Sequence, residues 1–327
     1  MRPSGCCASR PWPPAKERPA GVCACPVEPE VLASPAPPRR LVYLGSPEAA
    51  VVPLQGLVAA GFDIALVVSQ PDRKRGRGSG LVATPVKIAA LELGLPVSDR
   101  VDDILAAGAD LGVVVAYGRL IRPHVLDRLD LVNLHFSLLP RWRGAAPVER
   151  AILAGDKETG VCLMGLEEGL DTGPVYACER VVIGPEETAD ELRSRLVALG
   201  SDLLVTALHA GLGEARPQAG TPTYAAKLES GELRLDWTRP AVELHRLVRL
   251  GGAWTTFRGR RLKVRRARLV PPGQGADLAP GVLDDTRVGA GAGSLELVEV
   301  QPEGKAPQAA AAWRNGARPV AGERLGD

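Results

Sequence analysis

From residue 41 onward, short apolar runs alternate with segments whose apolar residues recur every three to four positions. LVYLG (41–45), DIALVVS (63–69), DLGVVVAYG (110–118) and LVNLH (131–135) read as strands. They are apolar almost throughout, as strands covered on both faces are. AAVVPLQGLVAAGF (49–62) suggests a helix broken near its start by Pro53. TPVKIAALELGLPV (84–97) reads as a second helix, with Thr84 as N-cap, Pro85 at the first position and Gly94 ending it. Strands alternating with helices predict an α/β fold built on a doubly wound, mostly parallel sheet. GVCLMGLE (160–167) and GPVYACERVVIG (173–184) look like antiparallel additions at its edge. Thr188 and Glu191 form a capping-box pair ahead of Leu192, Leu196, Leu199 and Leu203, and that helix closes the first domain near residue 213.

The pattern then changes. GEARPQAGTPTYAAKL (213–228) is polar, bears Pro and Gly, and reads as a linker of ordinary type. PAVELHRLVRL (240–250) is helix-like, and RLKVRRARLV (261–270) and SLELVEV (294–300) are short alternating runs between glycine turns. They predict a small β-barrel or sandwich. The expected division is a disordered extension at 1–40, a main domain at 41–215, a linker at 216–232 and a smaller domain at 233–327. The extension is rich in Pro, Ala and Arg and holds no apolar core of the kind a secretory signal needs.

The chain's 327 residues suffice for two cores. A formal net charge of +2 says nothing about partners, so a polyanion would have to be read from clusters of charge. No apolar run reaches the ~18 residues that cross a membrane. Cys6, Cys7, Cys23 and Cys25 are adjacent or two apart amid prolines, which suits no zinc site, and no metal is expected. Cys162 and Cys178 read as isolated small core residues, which points to a reducing, cytoplasmic compartment.

Ligands in open α/β sheets bind beyond the carboxyl ends of the strands. Asn133 and His135 stand at such an end, two apart, so both can address one face. An amide can donate to a developing oxyanion while an imidazole moves a proton near neutral pH, a pairing that suits acyl transfer to an amine. A carboxylate is the usual third member. Asp171, flanked by Gly169 and Gly173, is a candidate, although on sequence alone a turn aspartate bonding its own backbone explains it better. His135 alone is better read as an incidental strand-end residue. GxSxG is absent, and after the first strand GSPEAA replaces the GxGxxG of nicotinamide enzymes.

NLHFSLLPRWRGAAPVERAILAGDKETGVCLM (133–164), GLDTGPVY (169–176), GSPEAA, SQPDRKRGRGSGLVATPVK and GAWTTF together resemble the folate-dependent formyltransferases over about residues 41–270. The resemblance implies a Rossmann-like formyltransferase domain and an OB-like barrel that binds tRNA. It implies Asn133, His135 and Asp171 as catalytic residues, and Ser137, Leu138, Leu139 and Pro140 as the loop that holds the folate. It also implies 10-formyltetrahydrofolate as formyl donor and the α-amine of methionyl-initiator tRNA as acceptor, in translation initiation, with the chain acting as a monomer. Phe136 stands where the family carries a small residue, which would crowd the folate's approach. GAWTTF lacks the family's preceding prolines.

Two basic clusters bear on the acceptor. Arg73, Lys74, Arg75 and Arg77 lie within five positions beside glycines; the segment reads as a solvated loop or a phosphate-binding one. In the resembled family it enters the tRNA acceptor stem, with Arg77 on the foremost arginine. RGRRLKVRRAR (258–268) has seven basic residues in eleven, among them Arg258, Arg260, Arg261, Lys263 and Arg265. Leu262 and Val264 alternate with Lys263 and Arg265, predicting one buried face and one facing phosphate, in excess of what edge protection requires. Three rivals stand beside this reading. A relative formylating a glycine amide or amino sugar would share the Asn–His–Asp core and lack the basic elements. A nicotinamide enzyme would need the missing glycine fingerprint. A non-catalytic RNA-binding protein would have no use for the three polar residues.

Overall fold

The structure is a computed structural model describing residues 37–74, 80–271, 273 and 278–327, without the side chain of Lys74. Nearly all of the expected 1–40 extension, together with Arg75 and Arg77, lies outside the described residues.

Seven strands form the main sheet: β1 (Arg40–Gly45), β2 (Asp63–Val68), β3 (Val97–Ser98), β4 (Leu111–Val115), β5 (Leu131–His135), β6 (Glu158–Gly165) and β7 (Val175–Val182). Their order is β7-β6-β5-β4-β1-β2-β3. The five from β5 to β3 run parallel, while β6 is antiparallel to β5 and β7 to β6, as the sequence predicts. Alternate residues of β1 feed opposite sides. Leu41 and Tyr43 enter one core cluster, Val42 and Leu44 the other, which accounts for the continuous apolar runs. The two-residue β3 carries too little pattern to be read in advance.

Helix α1 (Val51–Ala59) follows a 3₁₀ turn, Glu48–Ala50, and is not broken by Pro53. Proline sits at the third helical position, within the first turn, where a backbone N–H has no intrahelical partner to lose. Helix α2 (Pro85–Glu92) is capped by the Thr84 hydroxyl, which accepts from the Lys87 N–H at 3.2 Å. Helix α3 (Pro147–Ala154) leads into β6. Helix α4 (Ala189–His209) begins with the full capping box, the Thr188 N–H donating to Glu191 at 2.9 Å. α4 lies close on the sheet because Gly200 faces β5 and β6; an added Cβ would stand 2.9 Å from Leu134 and 3.0 Å from Val161.

Cys162 and Cys178 are not isolated core residues. They face each other in the β6–β7 pair, Cα atoms 4.1 Å apart, and form a disulfide. Their sequence contexts gave no hint, because the pairing depends on the register of two strands joined by a long loop.

The C-terminal sheet comprises β8 (Trp254–Phe257), β9 (Arg260–Leu269), β10 (Leu283–Asp284), β11 (Arg287–Gly289), β12 (Ser294–Pro302) and β13 (Gln308–Ala309). All pairings are antiparallel in the order β8-β9-β12-β11-β10, with β13 on β12. Helices α5 (Ala241–Val248) and α6 (Ala310–Ala317) cover its apolar face through Leu244, Val248 and Trp313. This core is joined to the first by polar contacts. Arg150 pairs with Glu232 at 2.8 Å, Arg249 donates to the carbonyls of Gly184 and Glu187, and buried His245 lies 3.2 Å from Glu186.

Candidate active site

Strand β5 ends at His135, and the chain turns at once into Ser137–Pro140, with a cis bond between Leu139 and Pro140. Asn133 and His135 share a face of β5 and are 9% and 5% exposed. Asn133 makes no side-chain hydrogen bond among the described residues, so its amide is uncommitted. Beyond the neighbouring β4, Tyr117 is buried, and burial pushes the phenol's pKa up against the opposing effect of Arg119, so its hydroxyl keeps its proton.

His135 is held at one ring nitrogen and faces a carboxylate with the other. Nε2 lies 2.9 Å from the Trp142 carbonyl oxygen, which can only accept, so the Nε2 hydrogen points there. Nδ1 faces Asp171, 3.6 Å from Oδ2. That distance is too long for a hydrogen bond, yet a proton arriving at Nδ1 would lie beside a carboxylate. Asp171 Oδ2 also accepts from the Gly144 N–H at 2.7 Å. The 166–174 loop leaves β6 level with Val132 and must double back to bring Asp171 to His135. Asp171 has φ of 50°, Trp142, whose carbonyl meets His135, has φ of 62°, and Ala116, just past the end of β4, has φ of 47°. Three non-glycine residues in the left-handed region in the loops that follow β4, β5 and β6 mark a region where the surroundings impose the backbone.

The structure therefore brings Asn133, His135 and Asp171 together. Within the expected folate loop, Ser137 is fully buried and its hydroxyl donates to the Arg141 carbonyl, so the side chain closes the turn and is not open to a ligand. Leu138 and Leu139 are half-buried and border a cavity of about 380 Å³ whose other walls include Trp142, Asp156 and Thr159. Phe136 does not crowd the opening, because it packs into the main core and is only 9% exposed. The remaining histidines have other surroundings. His124 pairs with Asp102, His209 stacks on Phe62, and His245 meets Glu186. Among the described residues no group of three or more His, Cys, Asp or Glu could hold a metal ion.

Several residues of the site were not foreseen. The segment read as an ordinary linker straps the site instead. The Trp142 N–H donates to the Thr223 hydroxyl at 2.9 Å, Tyr224–Ala225 pairs with Arg143–Gly144, and Arg216 bridges Val175. The Gln218 amide reaches Arg143, Asp171 and Gly173. Polar, Pro- and Gly-bearing composition gave no sign of this, since the partners are distant in sequence.

Of the basic residues, Arg73 is exposed in a two-residue strand paired with Leu81–Val82 and donates to Gln70. Arg258 forms a forked ion pair with Glu323 and donates to carbonyls at the end of α6, a structural tie. Arg261 and Arg265 are exposed and Lys263 is half-buried on the polar face of β9, while Arg260, of the same parity as Leu262 and Val264, is exposed at the strand's start. Arg261 lies over the Trp254 ring, 4.3 Å from its centroid. Bulges around Arg266 break the alternation, so that Arg265 and Arg266 both avoid the core.

An open α/β sheet with an Asn–His–Asp constellation at its strand ends, joined to a small antiparallel domain, defines a group-transfer enzyme of two-part build. The model of the formyl transferase family matches residues 42–208, and that of the formyl transferase C-terminal domain matches residues 227–318. The chain is 47% identical over 305 residues to the methionyl-tRNA formyltransferase of Ruegeria pomeroyi, covering 88% of this chain and all of that protein. It is 44% identical over 311 residues to that of Streptomyces coelicolor, with 88% and 100% covered. The N-formyltransferase of Helicobacter canadensis, solved with folinic acid and dTDP-3-aminofucose, superposes with a TM-score of 0.63 at 16% identity, over 81% of this chain and 99% of that one, a likeness of fold. The chain belongs to the formyl transferase family and, within it, to the methionyl-tRNA formyltransferases.

Proposed function

We propose that the chain transfers the formyl group of 10-formyltetrahydrofolate to the α-amine of methionyl-initiator tRNA, for translation initiation. One observation carries the reading: an uncommitted, nearly buried amide stands two residues from a histidine whose second nitrogen faces a carboxylate. The acceptor's amine is itself the nucleophile, so the chain needs no serine or cysteine of its own. Asn133 donates to the carbonyl oxygen as negative charge develops there. His135 takes up the amine's proton and returns it to N10 as the formyl C–N10 bond breaks and tetrahydrofolate leaves, while Asp171 orients the ring and balances its transient positive charge. The donor supplies an activated formyl group when bound. The residues present suit it: Leu138 and Leu139 offer half-buried apolar wall, and the nearly buried Asn133 amide makes no side-chain hydrogen bond among the described residues. Backbone and apolar side chains of Leu138–Pro140, and not the Ser137 hydroxyl, form the loop's contribution.

We assign tRNA phosphate contacts to Arg73, Lys74, Arg75 and Arg77, to Arg260 at the start of β9, and to the face of β9 that carries Arg261, Lys263 and Arg265, which supports the tRNA acceptor over a small amine. Such contacts position the RNA without specifying its sequence. In this reading residues 41–215 are the catalytic domain, 216–232 the linker and 233–327 the tRNA-binding domain, working as a monomer in the cytoplasm. No helix among the described residues is long and apolar enough to cross a membrane. The disulfide removes isolated cysteines as a ground for the compartment; its ground is now the tRNA acceptor.

An acceptor panel tests this proposal. Purified chain is supplied with 10-formyltetrahydrofolate and, in turn, methionyl-initiator tRNA, an amino-sugar nucleotide and a phosphorylated glycine amide. Formylation confined to the tRNA is expected. Formylation of a small amine with the tRNA left unmodified would overturn the reading.

A further inference from the structure

We infer that Gln218, in the segment between the two cores, is a positioning residue for catalysis, setting the place of Asp171 and through it the orientation of His135. The inference rests on the catalytic reading of Asn133, His135 and Asp171.

A carboxamide offers two donors and two acceptor sites, and in Gln218 all four are used. Its oxygen accepts from Arg143 Nε at 3.0 Å and Nη2 at 2.6 Å. Its nitrogen donates to the carbonyls of Asp171 and Gly173, each at 2.8 Å. Those carbonyls belong to the loop that doubles back over the sheet, and Asp171 itself has φ of 50°, a conformation disfavoured for a residue with a Cβ. Something must hold it there. The neighbour of Arg143 closes the ring of contacts, since the Gly144 N–H donates to Asp171 Oδ2 at 2.7 Å. Backbone and side chain of Asp171 are therefore fixed from the 143–144 segment, one directly and one through Gln218. The reciprocal Arg216–Val175 hydrogen bonds, both 2.8 Å, hold Gln218 itself in register with the loop's far end.

Gln218→Glu separates this role from simple anchoring of the segment. Glutamate still accepts from Arg143, and as an ion pair, but it cannot donate to either carbonyl and sets negative charge against both. Gln218→Met removes donor and acceptor alike without adding charge, and reads the same question should the glutamate variant fold poorly. Each variant of the full chain is compared with the parent and with Asp171→Ala, measuring kcat, KM for both substrates, and the melting temperature. We expect kcat to fall at least tenfold in both Gln218 variants, with both KM values within about threefold of the parent, because misplacing a catalytic group by an ångström can cost ~100-fold. In the Asp171→Ala background, Gln218→Glu should lower kcat no further, as two changes acting through one group do not add. A parental kcat in both Gln218 variants, with Asp171→Ala impaired, would overturn the inference alone. A raised KM for tRNA at unchanged kcat would overturn it too, assigning Gln218 to binding. A parental rate in Asp171→Ala would instead overturn the site reading beneath it.

Discussion

Asn133 and His135 differ from other strand-end polar residues in what surrounds them, and that decides what each substitution should do. His135 has one nitrogen fixed by the Trp142 carbonyl and one turned to Asp171. Replacing it with alanine removes the proton acceptor, while His135→Gln does so with less loss of buried volume and serves as the folding control. We expect His135→Ala to lower kcat by about 10²–10⁴-fold, the usual range for a general acid–base group, with little change in melting temperature. Asn133→Ala should lower kcat by about 10²–10³-fold, as losing one oxyanion donor does. Both are read by steady-state kinetics beside a thermal melt. Asn133, His135 and Asp171 were singled out in sequence by the family resemblance, since each taken locally reads as an ordinary strand-end or turn residue. The Trp142 carbonyl, the Gly144 N–H and Gln218 were not. Backbone groups carry no sequence signature, and a linker glutamine looks like any other until the fold sets Arg143 and Asp171 beside it.

Among the elements, the sheet places the site because α4 lies tightly against β5 and β6. Gly200 permits that approach. Gly200→Ala should push Leu134, the residue before His135, and cost about 1–3 kcal/mol as an overpacked core position, measured by urea denaturation. Residual activity in the folded fraction should fall with it. The start of α4 carries a pH signature. The Thr188 N–H, and then the Thr188 hydroxyl, hold the Glu191 carboxyl below its usual range. A depressed carboxyl pKa contributes stability that is complete above the unfolded value and lost as pH falls through the folded one. Glu191→Gln should therefore lower the melting temperature at neutral pH and flatten its decline below about pH 5, a window set by ordinary carboxyl values. A melting curve series from acid to neutral pH checks it. These elements were readable because caps and apolar spacing are local signals. Pro53 was misread as a break since its place in the first turn depends on where the 3₁₀ turn hands over to α1. The Cys162–Cys178 pair escaped notice because register across a doubled-back loop is not written in either strand.

For the whole molecule, the question is how a protein of net charge +2 engages a polyanion. The cations are concentrated: one group lies in the 70–80 segment and another on the polar face of β9, where bulges turn Arg265 and Arg266 both away from the core. Arg258, expected among them, is tied to Glu323. Replacing Arg260, Arg261, Lys263 and Arg265 by glutamine should raise KM for tRNA and reduce the slope of log KM against log salt by up to ~0.9 for each phosphate no longer neutralised. Replacing Arg258 by glutamine should act chiefly on stability, through its contacts to the end of α6. An unchanged salt slope in the four-residue variant would remove β9 from the RNA surface. The alternation of β9 was legible in sequence; its bulges were not, since they arise from pairing with β12.

If Asn133, His135 and Asp171 move a formyl group onto the amine of a methionyl-initiator tRNA, the transfer step itself must depend on the imidazole. Single-turnover transfer from 10-formyltetrahydrofolate, with the full chain in excess over charged initiator tRNA, isolates that step. The parent should form formyl-methionyl-tRNA rapidly, and the His135→Ala chain should be slowed at least ~100-fold. Equal rates in the two, or no formylated tRNA from the parent, would contradict the assignment.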